Sequence, residues 1–518
     1  MNTKAVSILN DVIGPVMRGP SSSHTAGSYH IGRLARDLLG DEPRTATFTF
    51  DPGGSYAHVY RQQRSDLGFA AGVLGWDITD DRFDHALDHA ASHGLGLAFE
   101  IAELPGADHP NCVQIAVAGR RGLTLDVMAK STGGGGILFS SIAGWPVNLT
   151  GDTYVLAAEV DKGAEDAARE ALGESECGAV GLERRAAGRR VLLIRQGLEP
   201  VPPRDITRLE ALPGVRRIWS CRPLFFVKPG EAIFQNAQDM VALAEQRDWS
   251  LGRVALAYES ELLRKPEAEI MGEMRRRLQI MRSAVSHGLV DGNARMQLLR
   301  PSAARIMKAE VEGRAPLGGL HTRAAARALA AMQANCSGAV VCAAPTGGAA
   351  GVLPGVLVTL AEERGLSDAE AATALFAAAA VGLIIATRAT FAAEVAGCQV
   401  EIGAAGAMAA AAVVETAGGT ARQACDAAAV ALQNSMGSVC DMVQGVVEIP
   451  CHTRNAVAAS AAFVCADLVL AGYENRVPLD ETIDAVMAVG RMLPSELRCT
   501  AKGGLAVTPS AEQMARLR

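Results

Sequence analysis

Two different spacings of hydrophobic residues divide this chain. Up to about residue 225, short segments alternate apolar and polar residues or carry β-branched and aromatic residues, and turn residues separate them. Beyond Val241, apolar residues recur every three or four positions in long segments rich in Ala, Leu, Met, Glu and Arg. The pattern therefore predicts mixed α and β structure first and an all-α region after it.

In the first 150 residues the pattern predicts an α/β unit. Its expected elements are a helix after Gly19–Thr25, a strand over Thr45–Phe50, a helix from about Ser65 to Leu74, and strands near Val113–Val117 and Leu123–Met128. The last strand leads to Lys130 and to four glycines, Gly133–Gly136. Such glycines can form a tight turn between strands. Alternatively, they can let backbone amides approach a cofactor phosphate, and Lys130 would then be a candidate for a Schiff base with that cofactor. Both interpretations stay open on the pattern alone.

The segment Gly19–Thr25 reads GPSSSHT and precedes an amphipathic stretch. Hydroxyl side chains at the start of a helix accept hydrogen bonds from its free backbone N–H groups, and the same end attracts anions such as carboxylates. The residues by themselves favour capping over ligand binding.

From Thr153 to Trp219 the order of predicted elements is strand, helix, strand, strand, helix, strand. This is the order of a ferredoxin-like module, and it resembles an ACT domain, the small amino-acid-sensing fold. The turn that such domains often build from Asp-x-Pro-Gly is Asp161-Lys162-Gly163-Ala164 here. An effector site and a purely structural or dimerising role both remain open for this module. Residues 224 to 240 are predicted to be a linker.

The net charge and the distribution of apolar residues and cysteines limit the kinds of partner that the protein is expected to bind. The 518 residues carry a net charge of −7 with both signs dispersed, which argues against a nucleic-acid surface. The first 20 residues lack the apolar core of a signal peptide, and the run Ala371–Thr387 is mostly alanine and is predicted to be a buried helix. Eleven cysteines without an export signal indicate a reducing compartment. We expect a cytoplasmic protein that binds neither nucleic acid nor a membrane.

Three of the eleven cysteines stand apart from the rest. Cys398, Cys440 and Cys451 are 42 and then 11 positions apart. Each has a break in regular structure just before it: Gly397, Gly437-Ser438 and Pro450 respectively. Such breaks free backbone N–H groups to point at cluster sulfurs. Four others lie in apolar helical or helix-flanking runs, where structural burial is expected: Cys336, Cys342, Cys425 and Cys465. The last four are isolated in or near strands and loops, with no partner at ligand spacing: Cys112, Cys177, Cys221 and Cys499.

A structural zinc site is disfavoured, because it needs four ligands that usually come in short paired spacings. Three thiolates can instead hold a [4Fe–4S] cluster and leave one iron open as a Lewis acid for substrate oxygens. Spacing alone leaves two alternatives, such a cluster or three unrelated buried thiols.

A set of motifs in a fixed order resembles the iron–sulfur-dependent L-serine dehydratases. The motifs are GPSSSHTAG at 19–27, GGSYA and LGW between 53 and 76, STGGGG at 131–136, APTGGAAGVLPG at 344–355, AGCQVEIG at 396–403 and CDMVQGVVEIPCHTRNA at 440–456. They extend over nearly the whole chain.

The resemblance assigns expected roles to residues of this chain. It implies that Cys398, Cys440 and Cys451 bind a [4Fe–4S] cluster. It also implies that the active site between the first and the helical domain is lined by Ser21, Ser22, Ser23, His24 and Thr25, which grip the substrate's carboxylate. The glycines at 131–136 become a structural turn, and pyridoxal phosphate is not expected. The implied reaction removes the α-proton and β-hydroxyl of L-serine and yields pyruvate and ammonia.

Some positions depart from the family pattern. Gln63 stands where the family carries a histidine proposed as the α-proton base, and an amide cannot act as a base near neutral pH. His58, five residues earlier, is the candidate substitute. Met442 stands where proline is usual and Gln444 where alanine is usual, and the sequence ends at Arg518 without the C-terminal cysteine of some members.

The expectation is thus an α+β multidomain protein: an N-terminal α/β substrate-binding domain (1–150), an ACT-like middle domain (151–225) and an all-α iron–sulfur domain (240–518). It is expected to act on a small amino or hydroxy acid and to form a homodimer. The departures leave two alternatives, a paralogous lyase with another substrate or leaving group and a non-catalytic amino-acid-binding regulator.

Overall fold

The computed structural model describes residues 5–172 and 179–517, so Cys177 lies outside the described residues. Within them, a mixed α/β region is followed by a four-stranded sheet with two helices and then by a bundle of helices. This order confirms the predicted α+β class and the all-α character of the second half.

The first region contains a six-stranded sheet and four helices. Its elements are β1 (Val16–Arg18), α1 (Gly27–Leu39), β2 (Pro43–Phe50), α2 (Ser55–Val59), α3 (Ser65–Leu74), α4 (Ala86–Ser92), β3 (Gly96–Ile101), β4 (Cys112–Gly119), β5 (Thr124–Gly133), β6 (Gly136–Ile142) and β7 (Trp145–Leu149). The sheet has the order β3-β2-β4-β5-β6-β7, and only β2 and β3 run parallel among the described strands. The predicted strand at 45–50 and helix at 65–74 are confirmed as β2 and α3.

The middle region has a ferredoxin-like topology. It consists of β8 (Tyr154–Asp161), α5 (Glu165–Ala171), β9 (Ala179–Ala187), β10 (Arg190–Gly197), α6 (Pro203–Glu210) and β11 (Val215–Cys221). The antiparallel order β11-β8-β10-β9 places the first and third strands of the module at the centre of the sheet. The predicted element order is therefore confirmed for the described residues.

The two faces of this smaller sheet bury different surfaces, as the period of a strand requires. Val155 and Ala157 of β8 join the core of the first region, where Trp219 of β11 is also buried. Leu156 and Ala158 point the other way and pack with α5 and α6. The module is fixed to the first region through one face of its sheet.

The second half is a helical bundle. Its elements are α7 (Ala237–Arg247), α8 (Leu251–Leu263), α9 (Glu267–Gly288), α10 (Ala303–Val311), α11 (Leu320–Cys336), β12 (Val340–Cys342), α12 (Val352–Arg364), α13 (Asp368–Arg388), α14 (Ala393–Ala396), α15 (Ile402–Thr416), α16 (Ala421–Ser435), α17 (Cys451–Leu470), α18 (Leu479–Met492) and α19 (Pro509–Glu512). The helix α13 packs against α8, α9 and α15. A helix that is apolar on all sides is expected at the centre of a bundle, and α13 confirms the prediction of a buried helix at 371–387.

Three helical segments are long and apolar enough to cross a membrane by length and composition alone: Asp368–Arg388, Cys398–Thr416 and Cys451–Leu470. Of their most apolar windows, 78%, 89% and 44% respectively are buried inside the protein. Their apolar character is used largely for packing against neighbouring helices.

Residues 5–18 belong to the helical bundle by their contacts. Strand β1 pairs with β12, and Ile8, Val12 and Met17 lie in the core of the bundle. The buried carboxylate of Glu259 accepts hydrogen bonds from the backbone N–H groups of Ile8 and Leu9 at 2.8 and 3.0 Å. This crossing of the chain fixes the first region against the bundle close to the segment 19–25.

His30 of α1 makes stability depend on pH. It is buried, and its Nδ1–H donates to the carbonyl oxygen of Gly135 at 2.8 Å. Burial lowers the pKa of His30 from 6.5 to about 4. The unfolded chain therefore binds a proton more readily, and stability falls as the pH drops from 6.5 towards 4.

We predict that the His30→Gln variant loses this pH dependence. The decrease in the free energy of unfolding between pH 7 and pH 4 should be smaller than in the wild type by up to roughly 3 kcal/mol. Urea unfolding at several pH values measures the difference, and the exposed His85 provides the matched control in His85→Gln. Equal pH slopes for wild type and His30→Gln would contradict the prediction.

Candidate active site between the first region and the helical bundle

The serine-rich segment predicted to line a site forms a buried turn. Residues Ser22–Ala26 make one π-helical turn that leads into α1, and Ser21 caps it by accepting a hydrogen bond from the backbone N–H of His24 at 3.1 Å. All five predicted residues are buried: Ser21, Ser22, Ser23, His24 and Thr25. The predicted capping role is confirmed for Ser21.

His24 lies at the centre of a polar group. Its Nδ1 is 3.3 Å from the hydroxyl of Ser21 and 3.5 Å from the carboxylate of Glu394, and its Nε2 is 3.0 Å from the hydroxyl of Ser55. Burial lowers the pKa of His24 below 6.5, although the charge of Glu394 acts in the opposite direction. The imidazole is thus neutral near pH 7 and is held on both sides by polar groups.

A second turn, from the helical bundle, packs directly on the serine turn. The backbone N–H of Gly347 donates to the hydroxyl of Ser22 at 3.1 Å, and the amide of Asn335 donates to the carbonyl oxygens of Pro20 and Gly347, both at 2.9 Å. A Cβ atom on Gly347 would lie 2.7 Å from the carbonyl oxygen of Pro20. Only glycine allows the two backbones to come this close.

The same glycine turn is tied to the third predicted cluster cysteine. The amide of Asn455 in α17 donates to the carbonyl oxygens of Gly348 and Cys451 at 2.8 and 2.9 Å, and its oxygen accepts from the N–H of Gly351 at 3.1 Å. Asn455 is fully buried. One side chain therefore connects the turn that contacts Ser22 with the start of the helix that carries Cys451.

The three predicted cluster cysteines lie at breaks, as the sequence indicated. Cys398 begins a single 3-10 turn after Gly397, Cys440 lies in a loop, and Cys451 is the first residue of α17. Their exposed fractions are only 1%, 2% and 3%. The fold thus brings together three thiols from three separate segments in the interior of the protein.

The pKa values of these thiols show that they share one environment. Contact with Cys398 raises the pKa of Cys440 well above its ordinary value, with contact with Cys499 as the next cause. Burial raises the pKa of Cys451, and the charge of Cys398 raises it further. Ionising several of these thiols therefore costs free energy when no ligand is bound to them, and a bound cationic group would offset that cost.

The donor set fits an iron–sulfur cluster better than a single metal ion. Among the described residues, no group of three or more His, Cys, Asp or Glu side chains is arranged to hold one metal ion. A four-iron cluster is larger than an ion and needs ligands that stand further apart. Three buried, unpaired thiols at chain breaks are the donors that such a cluster uses.

Cys499 is a functional candidate that the sequence analysis missed, and its classification as isolated is wrong. Its backbone N–H donates to the carbonyl oxygen of Cys440 at 3.0 Å, and the N–H of Cys440 donates to Leu497 at 2.9 Å. The C-terminal segment thereby runs alongside the second predicted cluster cysteine. The carbonyl oxygen of Cys499 accepts from the hydroxyl of Ser55 at 3.2 Å, which links the thiols to the His24 group.

Comparisons with known proteins match both halves of this arrangement. The family model described as serine dehydratase alpha chain matches residues 237–506. The chain is 37% identical over 282 residues to the "Probable L-serine dehydratase, alpha chain" of Bacillus subtilis (strain 168), a match that covers 54% of this chain and 94% of that one. This chain belongs to the L-serine dehydratase family.

Other relatives extend the match. The chain is 32% identical over 285 residues to the "L-serine dehydratase, alpha chain" of Peptoniphilus asaccharolyticus, which covers 55% of this chain and 98% of that one. It is also 37% identical over 153 residues to the "Probable L-serine dehydratase, beta chain" of Bacillus subtilis (strain 168), covering 29% of this chain and 68% of that one. The present chain therefore carries in one polypeptide regions similar to both alpha and beta chains of this enzyme family.

Gln63, which replaces the family's histidine, lies at the site. Its side chain is 1% exposed, and its Nε2 is 3.7 Å from the thiol sulfur of Cys499. The backbone carbonyl oxygen of Gln63 accepts a hydrogen bond from the hydroxyl of Thr25 at 2.8 Å. Gln63 thus joins the serine turn, through its backbone oxygen, to the C-terminal segment, through its side-chain amide, in this member of the L-serine dehydratase family.

His58, the predicted substitute base, contacts a different group. Its Nε2 is 3.0 Å from the ammonium nitrogen of Lys502, on the partly exposed side of α2. Burial lowers the pKa of His58, and the charge of Lys502 lowers it further. The structure brings together the serine turn, His24 and the cysteines, and places His58 on the outer side of the C-terminal segment.

Two buried acids of the site were also missed by the sequence analysis. Glu394 contacts His24, and its Oε1 accepts from the amide of Asn111 at 3.1 Å. Burial raises the pKa of Glu401 to about 7, with the charge of Glu394 acting in the same direction. The two acids flank Cys398 in sequence: Glu401 lies within the motif at 396–403, and Glu394 lies two residues before it.

The glycine stretch at 133–136 and Lys130 have structural contacts in the fold. Gly133, Gly134 and Gly135 turn the chain between β5 and β6 with φ of 98°, 60° and 88°, and Lys130 pairs with Asp108 at 2.6 Å.

Gln444 adopts a positive φ of 53°, and its side-chain amide donates to the backbone carbonyl oxygen of Met514 at 2.6 Å. Gln444 therefore anchors the C-terminal segment, and Met442 is buried beside it.

Proposed function

We propose that this enzyme is a [4Fe–4S]-dependent lyase that converts L-serine to pyruvate and ammonia. The observation that carries the proposal is the convergence of Cys398, Cys440 and Cys451 beside the serine turn. All three thiols are buried, and Cys440 and Cys451 both interact with Cys398. Membership of the L-serine dehydratase family and the names of its relatives support the substrate.

The three thiolates would hold the cluster through three of its irons. The fourth iron would then act as a Lewis acid that binds substrate oxygens and helps the β-hydroxyl leave as water. The guanidinium of Arg454 supports the thiolates: burial lowers its pKa, but the charges of Cys398, Asp441 and Cys451 raise it more. Arg454 therefore stays cationic beside the anionic ligands.

The serine turn is proposed to bind the substrate's carboxylate. Its residues bring several hydroxyl donors to a buried location, and the helix that follows adds the positive end of its dipole. The glycine turn that packs on Ser22 keeps this location closed on one side. Ser21, Ser22, Ser23 and Thr25 are thereby proposed as substrate-positioning residues.

His24 is the stronger of two candidates for the α-proton base. It is neutral near pH 7, and its Nδ1 faces Glu394, so that the imidazolium formed after proton transfer would be stabilised by a carboxylate. His58 stays a candidate from the sequence. Its neighbour Lys502 disfavours the protonated form that a base must reach.

A second candidate function is favoured by Gln63. Its amide lies where the family carries a histidine and contacts the thiol of Cys499. A paralogous lyase with another small substrate or another leaving group would use the same cluster and serine turn with this altered contact. A non-catalytic regulator has less support, because the thiols, His24 and both buried acids are all present.

We further propose that the middle region is an ACT-like regulatory module, that the enzyme is a homodimer, and that it works in the cytoplasm. The ferredoxin-like strand order supports the first point. All ten cysteines among the described residues are free, as a reducing compartment would keep them.

The cluster assignment predicts the iron content of cysteine variants. Cys398→Ser, Cys440→Ser and Cys451→Ser should each lose most of their iron and sulfide after anaerobic reconstitution, because each removes one of three ligands. Cys425→Ser, which changes another buried thiol, in α16, is the matched control and should retain both iron and sulfide. Wild-type iron content in all three ligand variants would rule out the assignment.

The base assignment predicts a difference between two histidine variants. His24→Gln should lower kcat by about 10²- to 10⁴-fold, the usual contribution of a general base, while His58→Ala keeps kcat within about threefold of the wild type. Because the pKa of His24 lies below 6.5, the acid limb of kcat/KM in the wild type should appear below pH 6.5. A large loss in His58→Ala with full activity in His24→Gln would reverse the assignment.

A further inference from the structure

Two buried acceptor atoms of the candidate site have no hydrogen-bond donor. They are Oε2 of Glu394 and Oδ1 of Asn111, and the two residues are 3% and 0% exposed. A buried polar atom without a partner costs free energy, and a buried carboxylate without one costs more. Such atoms inside a site indicate a ligand that supplies the missing donors.

The two atoms lie at one location, because their residues are bonded to each other. The amide nitrogen of Asn111 donates to Oε1 of Glu394 at 3.1 Å, which also fixes the orientation of the amide group. The free oxygen of Asn111 belongs to the same amide group as the donating nitrogen, and the free oxygen of Glu394 belongs to the same carboxylate as the accepting oxygen. Asn111 comes from the first region and Glu394 from the helical bundle, so the pair lies where the two meet.

The charge of Glu394 is not balanced by a cation of the protein. Among the described residues, its ion-pair contact is with His24, which burial keeps neutral near pH 7. His109, also nearby, accepts a hydrogen bond from the backbone N–H of Asn111 through its Nδ1 at 3.1 Å, as a neutral imidazole does. Lys130 is paired with Asp108. A cationic ligand with several N–H donors is what this pair of acceptors lacks.

The pair faces the rest of the candidate site. Nδ1 of His24 is 3.5 Å from the carboxylate of Glu394, and Nε2 of His24 is 3.0 Å from the hydroxyl of Ser55. That hydroxyl donates to the carbonyl oxygen of Cys499 at 3.2 Å. The charge of Glu394 also reaches Glu401. Glu394 is thus connected through His24 and Ser55 to Cys499, whose backbone N–H bonds to the carbonyl oxygen of Cys440.

We propose that Glu394 and Asn111 form the site that binds the α-ammonium group of the substrate. An ammonium group carries three N–H donors and one positive charge, so it satisfies both acceptors and neutralises the carboxylate. The inference rests on the proposed function and adds the substrate class: β-hydroxy α-amino acids are selected over hydroxy acids of the same skeleton.

The test compares two ligands that differ at one group. L-serine carries an α-ammonium group, and L-glycerate carries a hydroxyl in its place. In the Glu394→Gln enzyme with its cluster reconstituted, KM for L-serine should rise about 100-fold, while the inhibition constant of L-glycerate changes less than about threefold. Asn111→Leu, which removes the neutral acceptor, should move KM in the same direction by about 10-fold.

A purely structural role would change both ligands alike. Equal losses of affinity for L-serine and L-glycerate in correctly folded Glu394→Gln, judged by circular dichroism and thermal melting, would overturn the proposal, and so would an unchanged KM. Glu401→Gln is the matched control, since it removes the neighbouring acid. If that variant alone abolishes the preference for the ammonium ligand, the site is wrongly assigned.

Failure of the proposed function has a separate signature. If reconstituted wild-type enzyme releases no pyruvate from L-serine, the proposed reaction fails. Calorimetric titration with L-serine and L-glycerate then compares binding without turnover. Preference of the wild type for L-serine, lost in Glu394→Gln, would still support the ammonium site, and equal binding of the two ligands would refute it.

Discussion

The close backbone contact between the serine turn and the glycine turn at 346–348 determines how the site is built. One turn belongs to the first region and the other to the helical bundle, and hydrogen bonds from Asn335 and Gly347 hold them together. The contact fixes His24 relative to α17, which carries Cys451 and Asn455. The crossing of residues 5–18 into the bundle supports the same interface, because it limits how far the two regions can separate.

Electrostatics gives this interface its chemical character. Buried groups that carry or develop negative charge gather there, among them the thiols and the two glutamates. Burial at the same time keeps His24 neutral. A protein interior does not favour such a set of groups by itself. The arrangement is complementary to cationic groups, which in our proposals are the cluster irons and the substrate ammonium.

Local sequence patterns predicted those parts of the molecule that local forces determine. The strand β2, the helix α3, the order of the middle module and the buried helix α13 each follow from the spacing of apolar residues within one segment. The three cluster cysteines could be singled out because chain breaks are visible in the sequence, and the family motifs added their roles.

The rest depends on contacts between distant segments, which no local pattern contains. Asn111 and Glu394 are 283 positions apart, and Gln63 and Cys499 are 436 apart. Cys499 has no partner at ligand spacing in the sequence, because the path of the C-terminal segment brings it to Cys440. The glycines at 503–504, one of which packs on Asp441, were the one local signal of that path.

The central claim is that a substrate-binding cluster lies where these regions meet. The direct test is Mössbauer spectroscopy of the wild-type enzyme reconstituted anaerobically with ⁵⁷Fe and sulfide, recorded with and without L-serine. The account predicts a [4Fe–4S] spectrum in which L-serine shifts the signal of one iron and leaves the other three unchanged. A spectrum without a cluster, or one in which L-serine changes no iron signal, would contradict it.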